Sequence, residues 1–174
     1  PAVDESEIIT LGLNLTGLRI GSNKNKLKFG STIYYKRNFG QLIYGKQNFF
    51  NGSIGIITEQ FSGKCTSGDV PSLNIHNIDT WFLYHFLARS WYYQPKEMYA
   101  SGTGSKRIHQ ETLLKFDITC PATTEEQYLI GLLIQKIISS ISLHQREWKV
   151  NKNQHFYTKM LNKLLIIRIL IMVL

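Results

Sequence analysis

Residues 99–121, YASGTGSKRIHQETLLKFDITCP, hold the densest run of groups suited to engaging a phosphate. Gly102 and Gly104 free the backbone to turn tightly, Ser101, Thr103 and Ser105 supply hydroxyls, and Lys106 and Arg107 set two cations directly after the turn. Small polar residues followed by Lys-Arg suit the backbone phosphates or base edges of a duplex. A nucleotide-hydrolysing loop is set aside on spacing: no glycine lies five residues before Gly104, and Lys106 is followed by Arg107. The competing reading is a hairpin or βα loop with incidental charge.

Catalytic constellations are harder to find. Glu111, Lys115 and Asp117 can be strung into a nuclease-like set, but a chain with 12 acidic residues yields such strings by chance. Asp69 and Asp79 sit in turn and helix-cap contexts that account for them. His85 lies inside an aromatic stripe and reads as a packing residue. Cys65 and Cys120 form no CxxC and join no His/Cys cluster at metal-ligand spacing, so free, buried thiols in a reducing compartment are expected. The expectation is a non-catalytic binding subunit, with no metal or cofactor of its own.

Charge points to the class of partner. The formal net charge is +8, and residues 8–58 carry Arg19, Lys24, Lys26, Lys28, Lys36, Arg37 and Lys46 with no acidic residue. Such a field favours polyanions, nucleic acid first and acidic lipid second, although charge kept for solubility gives the same count. The opening PAVDESEIITLG lacks the basic and apolar regions of a signal peptide, and its lack of an initiator Met fits a stretch from a longer protein.

The elements that must position these groups fall into two kinds. Up to residue 60, the runs EIITLGLNL, TIYYK, QLIYG and SIGIIT are rich in Ile, Tyr, Leu and Thr and punctuated by glycine, which predicts a curved, mostly antiparallel sheet. GSNKNKLKFG reads as an exposed basic loop, and FSGKCTSGDVPSLNI continues in the same style with a turn around SGDVP. Asp79 caps a predicted helix bearing Trp81, Phe82, Tyr84, Phe86 and Leu87, running to Tyr92 or Tyr93 and ending before Pro95.

The second kind is one long helix, Thr123–Glu147. Thr124 with Gln127, or Thr123 with Glu126, has the form of a capping box, and Glu125 and Glu126 fall in the first turn. Ile130, Ile134, Ile137 and Ile141 follow at heptad spacing, broadened by Leu133 and Ile138. Such a stripe serves either packing on its own domain or pairing with a second long helix. The last stretch, LNKLLIIRILIMVL, is shorter than the ~20 apolar residues a membrane span needs and is interrupted by Arg168. It is expected to be a second apolar helix.

Three stretches together resemble one family: IYGKQNFFNGSIGII at 43–57, YASGTGSKRIHQETLLKFDITCP at 99–121 and TTEEQYLIGLLIQKIISSISLHQRE at 123–147. They are similar to the specificity (S) subunit of type I restriction–modification systems, whose signature is a proline-terminated strand followed by an EQ-containing helix. The resemblance implies a mixed α/β target recognition domain over 1–122, with the curved sheet, followed over 123–174 by a long spacer or coiled-coil helix and the apolar C-terminal helix. It implies sequence-specific recognition of double-stranded DNA in the cytoplasm, without membrane contact. Modification (methyltransferase) subunits using S-adenosylmethionine, and a restriction (motor/nuclease) subunit using ATP and Mg2+, would carry the chemistry. With one recognition domain and one spacer, the chain resembles a half-subunit, pairing with itself or another S chain through Ile130, Ile134, Ile137 and Ile141.

By the same resemblance, Lys46, Gln47 and Asn48, Thr66 and Ser67 near Asp69, and Thr103, Gly104, Ser105, Lys106 and Arg107 are the DNA-facing residues. Glu126 and Gln127 are expected to be structural, as cap and domain–helix joint. Two features depart from the family pattern: no Trp-containing entry segment precedes the first strand, and LLIIRILIMVL replaces a Lys-rich end. The alternatives are a stand-alone DNA-binding or antirestriction-like module, a basic membrane-surface protein, and a hidden nuclease.

Overall fold

Strand β4 (Leu42–Tyr44) is buried along its whole length, and the molecule is layered about it. The computed structural model describes residues 4–21 and 32–150, with side chains to 146. Because successive side chains of a strand point to opposite faces, β4 serves two cores at once. Leu42 and Tyr44 join Phe49, Ile54, Ile56, Phe82, Phe86 and Ile108 on one side, while Ile43 joins Ile9, Leu11, Ile57 and Phe61 on the other. Ile43 has no exposed surface, which contributes about 1.5–3 kcal/mol relative to an exposed position.

The architecture is mixed α/β with small antiparallel sheets. Strands β1 (Ile9–Leu11) and β2 (Leu18–Ile20) pair in one, and β3 (Tyr34–Lys36) and β6 (Cys65–Ser67) in another. In the third, β4 lies between β5 (Ile54–Ile56) and β7 (Ser72–Leu73). Each of the four predicted strand runs supplies one three-residue strand, but the strands form three small antiparallel sheets where one sheet is expected. Gly55 explains how two pieces stack: a Cβ there would come within 3.0 Å of Leu11 Cδ1 and 3.7 Å of Leu18 Cδ1. Gly52 closes the 3-10 turn Phe49–Asn51 at φ 69, a left-handed conformation suited to glycine.

The helical layer covers the other face of β4. Helix α1 (Thr80–Leu87) starts as predicted, with Asp79 Oδ1 accepting from the N–H groups of Trp81 (3.0 Å) and Phe82 (2.8 Å). It does not run on to Tyr93. Arg89 is extended (ψ 126), its Nε donates to the Phe86 carbonyl (3.1 Å), and a separate turn α2 (Ser90–Tyr93) follows. The guanidinium thus satisfies a carbonyl that a continuing helix would have bonded itself. The α-helical turn ends at Tyr93, before Pro95 as expected, but Pro95 does not end the helical region. It occupies the first turn of a 3-10 helix, Gln94–Tyr99, where a missing N–H costs nothing.

After the single turn α3 (Gln110–Leu113), the chain reaches Pro121 without forming the strand that the family signature calls for. Helix α4 (Thr124–Val150) then spans 27 residues, about 40 Å at the usual rise. Thr123 is its cap, accepting from Glu126 N at 3.3 Å, so the N-cap takes the earlier of the two expected positions. Cys65 is buried as expected, whereas Cys120 is exposed, because the segment before α4 runs along the surface. The apolar C-terminal stretch and the lysines at 24, 26 and 28 lie outside the described residues. Among the described residues, no helix is long and apolar enough to cross a membrane.

Candidate functional site

The backbone at Lys46 gathers three segments that lie far apart in the chain. Its N–H donates to the Asp69 carbonyl at 2.9 Å, and its carbonyl accepts from Ile108 N at 2.8 Å. The turn Gly45–Asn48, the turn Ser67–Val70 and the loop 101–107 therefore form one continuous edge. Gly45 has to be small here, since a Cβ would lie 2.8 Å from Ser53 Oγ.

The loop 101–107 is a hairpin. Ser101 and Arg107 exchange backbone hydrogen bonds at 3.0 and 2.8 Å, leaving 102–106 as an exposed tip. Gly102 has φ 125, and a Cβ would meet the Ser105 carbonyl oxygen at 2.5 Å. Gly104 faces open space, so the turn does not sterically demand glycine there. Thr103, Gly104, Ser105 and Lys106 are exposed and Arg107 is half-buried. Lys46, Gln47 and Asn48 are half-buried beside them, with Asn48 Oδ1 accepting from Asn51 Nδ2 at 3.2 Å.

Two carboxylates attend the cations. Lys106 Nζ lies 2.9 Å from Glu97 Oε1, and Arg107 Nε lies 3.6 Å from Asp69 Oδ1. The Lys106 pair is solvent-exposed and the Arg107 pair partly so, where such contacts contribute about 0–1 kcal/mol. Sequence reading missed Glu97 altogether, because partners nine residues apart across a turn follow no helical or strand period.

Thr66 and Arg37 belong to the interior, which corrects two expectations. Thr66 is 1% exposed; its Oγ1 accepts from Arg37 Nε (2.6 Å) and donates to the Val70 carbonyl (2.6 Å). That hydroxyl is used up inside the protein and does not face a ligand. Arg37 also donates to Ser72 Oγ (3.1 Å) and the Val70 carbonyl (3.0 Å). Its affinity for its proton is lowered by burial, but the guanidinium stays charged and has oxygen acceptors around it. Arg37 thus drops out of the surface charge and instead fixes the turn that presents Ser67, which is half-buried, and Asp69.

The base of α4 meets the domain at Gln127, which is 3% exposed. Its Oε1 accepts from Asp79 N at 2.9 Å and its Nε2 donates to the Pro121 carbonyl at 2.9 Å. One turn on, a Cβ at Gly131 would lie 2.9 Å from Phe82 N, so α4 and α1 touch backbone to backbone. Ile130 packs on the core, Ile134 lines a cleft, Ile137 is half-buried and Ile141 is buried. Leu129, Leu133 and Leu143 remain exposed. Leu133 therefore does not widen the covered stripe.

His85 is buried against Trp81 and Tyr84, in the packing role expected of it. The described residues contain no group of three His, Cys, Asp or Glu side chains placed to hold a metal ion. No protein-family model and no curated protein matches the chain.

Proposed function

We propose that the chain is a target recognition domain with its spacer helix, belonging to a type I restriction–modification specificity subunit that directs partner subunits to duplex DNA. One observation supports this above the rest: the 103–107 loop, read from its residue types, and the segments 46–48 and 66–69, marked as DNA-facing by the resemblance, meet at the Lys46 backbone and form one edge. On this reading Lys46, Lys106 and Arg107 hold phosphates, while Gln47, Asn48, Ser67, Thr103 and Ser105 meet base edges. The three small sheets act together as a curved platform, and α4 pairs with a second spacer helix as a coiled coil along its exposed side, not through Ile130 or Ile141, which are already covered within the chain. The chain itself is non-catalytic and cytoplasmic. Methyl transfer with S-adenosylmethionine, and ATP- and Mg2+-dependent cleavage, belong to the modification and restriction subunits.

The test is fluorescence anisotropy on labelled duplex DNA across a salt series. Each phosphate contact contributes about 0.9 to the logarithmic salt slope, so a Lys106→Ala, Arg107→Ala chain should lose roughly two units of slope. Selection from a random duplex pool with the modification subunit present should return one half-site. A slope unchanged by the double substitution would remove the reading.

A further inference from the structure

A second cationic site, sharing no residue with the loop edge, lies in a cleft of about 720 Å3 where the start of α4 meets α1, α2 and the segment 117–121. That volume is in the range of small-molecule pockets, roughly 300–1,000 Å3. Arg89 and Lys96 line it along with Trp91, Tyr92, Asp117 and Thr119. Among the described residues neither cation forms an ion pair, in contrast to Lys106 and Arg107. They rest on aromatic rings instead. The Arg89 guanidinium is 3.9 Å from the Phe86 centroid and 4.8 Å from that of Trp91, and Lys96 Nζ is 4.6 Å from Phe116 and 4.8 Å from Tyr92.

Ring faces ease the desolvation of a cation without neutralising it. Burial already lowers the affinity of Arg89 for its proton, so an incoming anion gains more from this guanidinium than from a fully hydrated one. The rest of the cleft is suited to a flat ring: Trp91 is 51% exposed, and the polar residues Asp117 and Thr119 complete the lining beside it. Aromatic platforms beside cations are how proteins hold nucleotides outside a duplex, with stacking contributing about 1–3 kcal/mol per base.

From this we infer that the cleft binds a single unpaired nucleotide, its base stacked at Trp91 and its phosphate held by Arg89 and Lys96. The inference does not depend on duplex recognition by the loop edge. The nucleotide has two possible sources, a free nucleoside monophosphate or an unstacked nucleotide of a DNA strand.

Cys120 provides a probe in the unaltered protein, because it lines the cleft and is exposed whereas Cys65 is buried. Its alkylation by iodoacetamide would be followed with a nucleoside 5′-monophosphate, inorganic phosphate, a perfect duplex, and a duplex carrying one bulged nucleotide. The expected result is slowed alkylation with the monophosphate or the bulged duplex, and little change with phosphate or the perfect duplex. Protection by the monophosphate identifies a free ligand, and protection by the bulged duplex alone identifies a DNA strand. Calorimetry on folded Arg89→Gln, Lys96→Gln and Trp91→Leu chains should show affinity reduced about tenfold or more in each, the loss expected when a charge-assisted bond or a stacking face is removed. An alkylation rate unmoved by either nucleotide source, or equal protection by inorganic phosphate, overturns the assignment.

Discussion

Replacing Gln127 by alanine should loosen the joint between α4 and the rest of the protein. The side chain is 3% exposed and bridges two backbone groups, Asp79 N–H and the Pro121 carbonyl, each at 2.9 Å. Alanine leaves both without that partner. A buried group left unsatisfied costs about 1–3 kcal/mol, and water can reach part of this site, so the expected loss is about 2–4 kcal/mol in all. For a chain of this size 1 kcal/mol corresponds to about 2–4 °C, which puts the fall in Tm at roughly 5–15 °C by calorimetry. Glutamate is the sharper variant. It keeps an acceptor for Asp79 but sets a carboxylate oxygen against the Pro121 carbonyl, so it should be no better than alanine. Lys136→Ala, at an exposed position on the same helix, should stay within about 0.5 kcal/mol of wild type. Hydrogen exchange at the Asp79 amide reports the joint directly and should quicken in Gln127→Ala. A Tm within a degree of wild type, with Asp79 exchange unchanged, would refute the bridging argument.

Other expectations follow from the same packing. Gly131→Ala places a Cβ 2.9 Å from Phe82 N and 3.0 Å from Asp79 Oδ1, neither of which can yield because both serve the α1 cap. Overpacking of about 1–3 kcal/mol should outweigh the ~1 kcal/mol helix-propensity gain, giving a chain less stable in urea despite the better helix former. Tyr44 and Tyr92 are pushed up to about 12, both chiefly by burial, with the nearby Asp117 charge adding to Tyr92. The folded chain therefore holds these protons more tightly than the unfolded chain, whose phenols titrate near 10. Their contribution to stability is fully present below pH 10 and is lost as pH rises through about 12. Ultraviolet titration of the folded protein should show these two phenols still protonated at about pH 10–11, and their ionisation near pH 10 would contradict it.

Local signals in the sequence translated well into structure, and long-range ones poorly. Asp79 and Thr123 were legible as caps because a cap is a contact over two or three residues. The strand runs were legible for the same reason, but how they divide among sheets depends on close approaches such as Gly55 to Leu11, which leave no local trace. Arg37 reads as a surface group because basic residues usually are, and Thr66 is DNA-facing only by the resemblance. Only the pairing of β3 with β6 brings their side chains together and buries both. The break at Arg89 was invisible in the apolar pattern, since Trp91, Tyr92 and Tyr93 keep to a helix-compatible spacing on either reading. The same aromatic run hid the cleft: rings that look like one continuous core face are divided, with Tyr92 and Tyr93 turned inward and Trp91 left half exposed.

Asp69 and Glu97 show how the loop edge balances attraction against restraint. Each lies beside a cation proposed to hold a phosphate, so in the free protein the cations already have partners. The pairs lie at the surface, with Arg107 half-buried, and contribute about 0–1 kcal/mol each, less than a phosphate offers through charge-assisted hydrogen bonds. DNA should therefore displace them, but at a cost. Removing that cost by Glu97→Gln or Asp69→Asn should tighten duplex binding by up to about fivefold each, the factor equivalent to 1 kcal/mol, with a smaller gain at high salt where the pairs are already screened. Asp69→Asn leaves the carbonyl that receives Lys46 N–H untouched, so the meeting of the three loops is preserved and a change in affinity reports charge alone. If both variants bound duplex more weakly than wild type at every salt concentration, the carboxylates would be organising the cations for DNA rather than competing with it, and the energetic order argued here would be reversed.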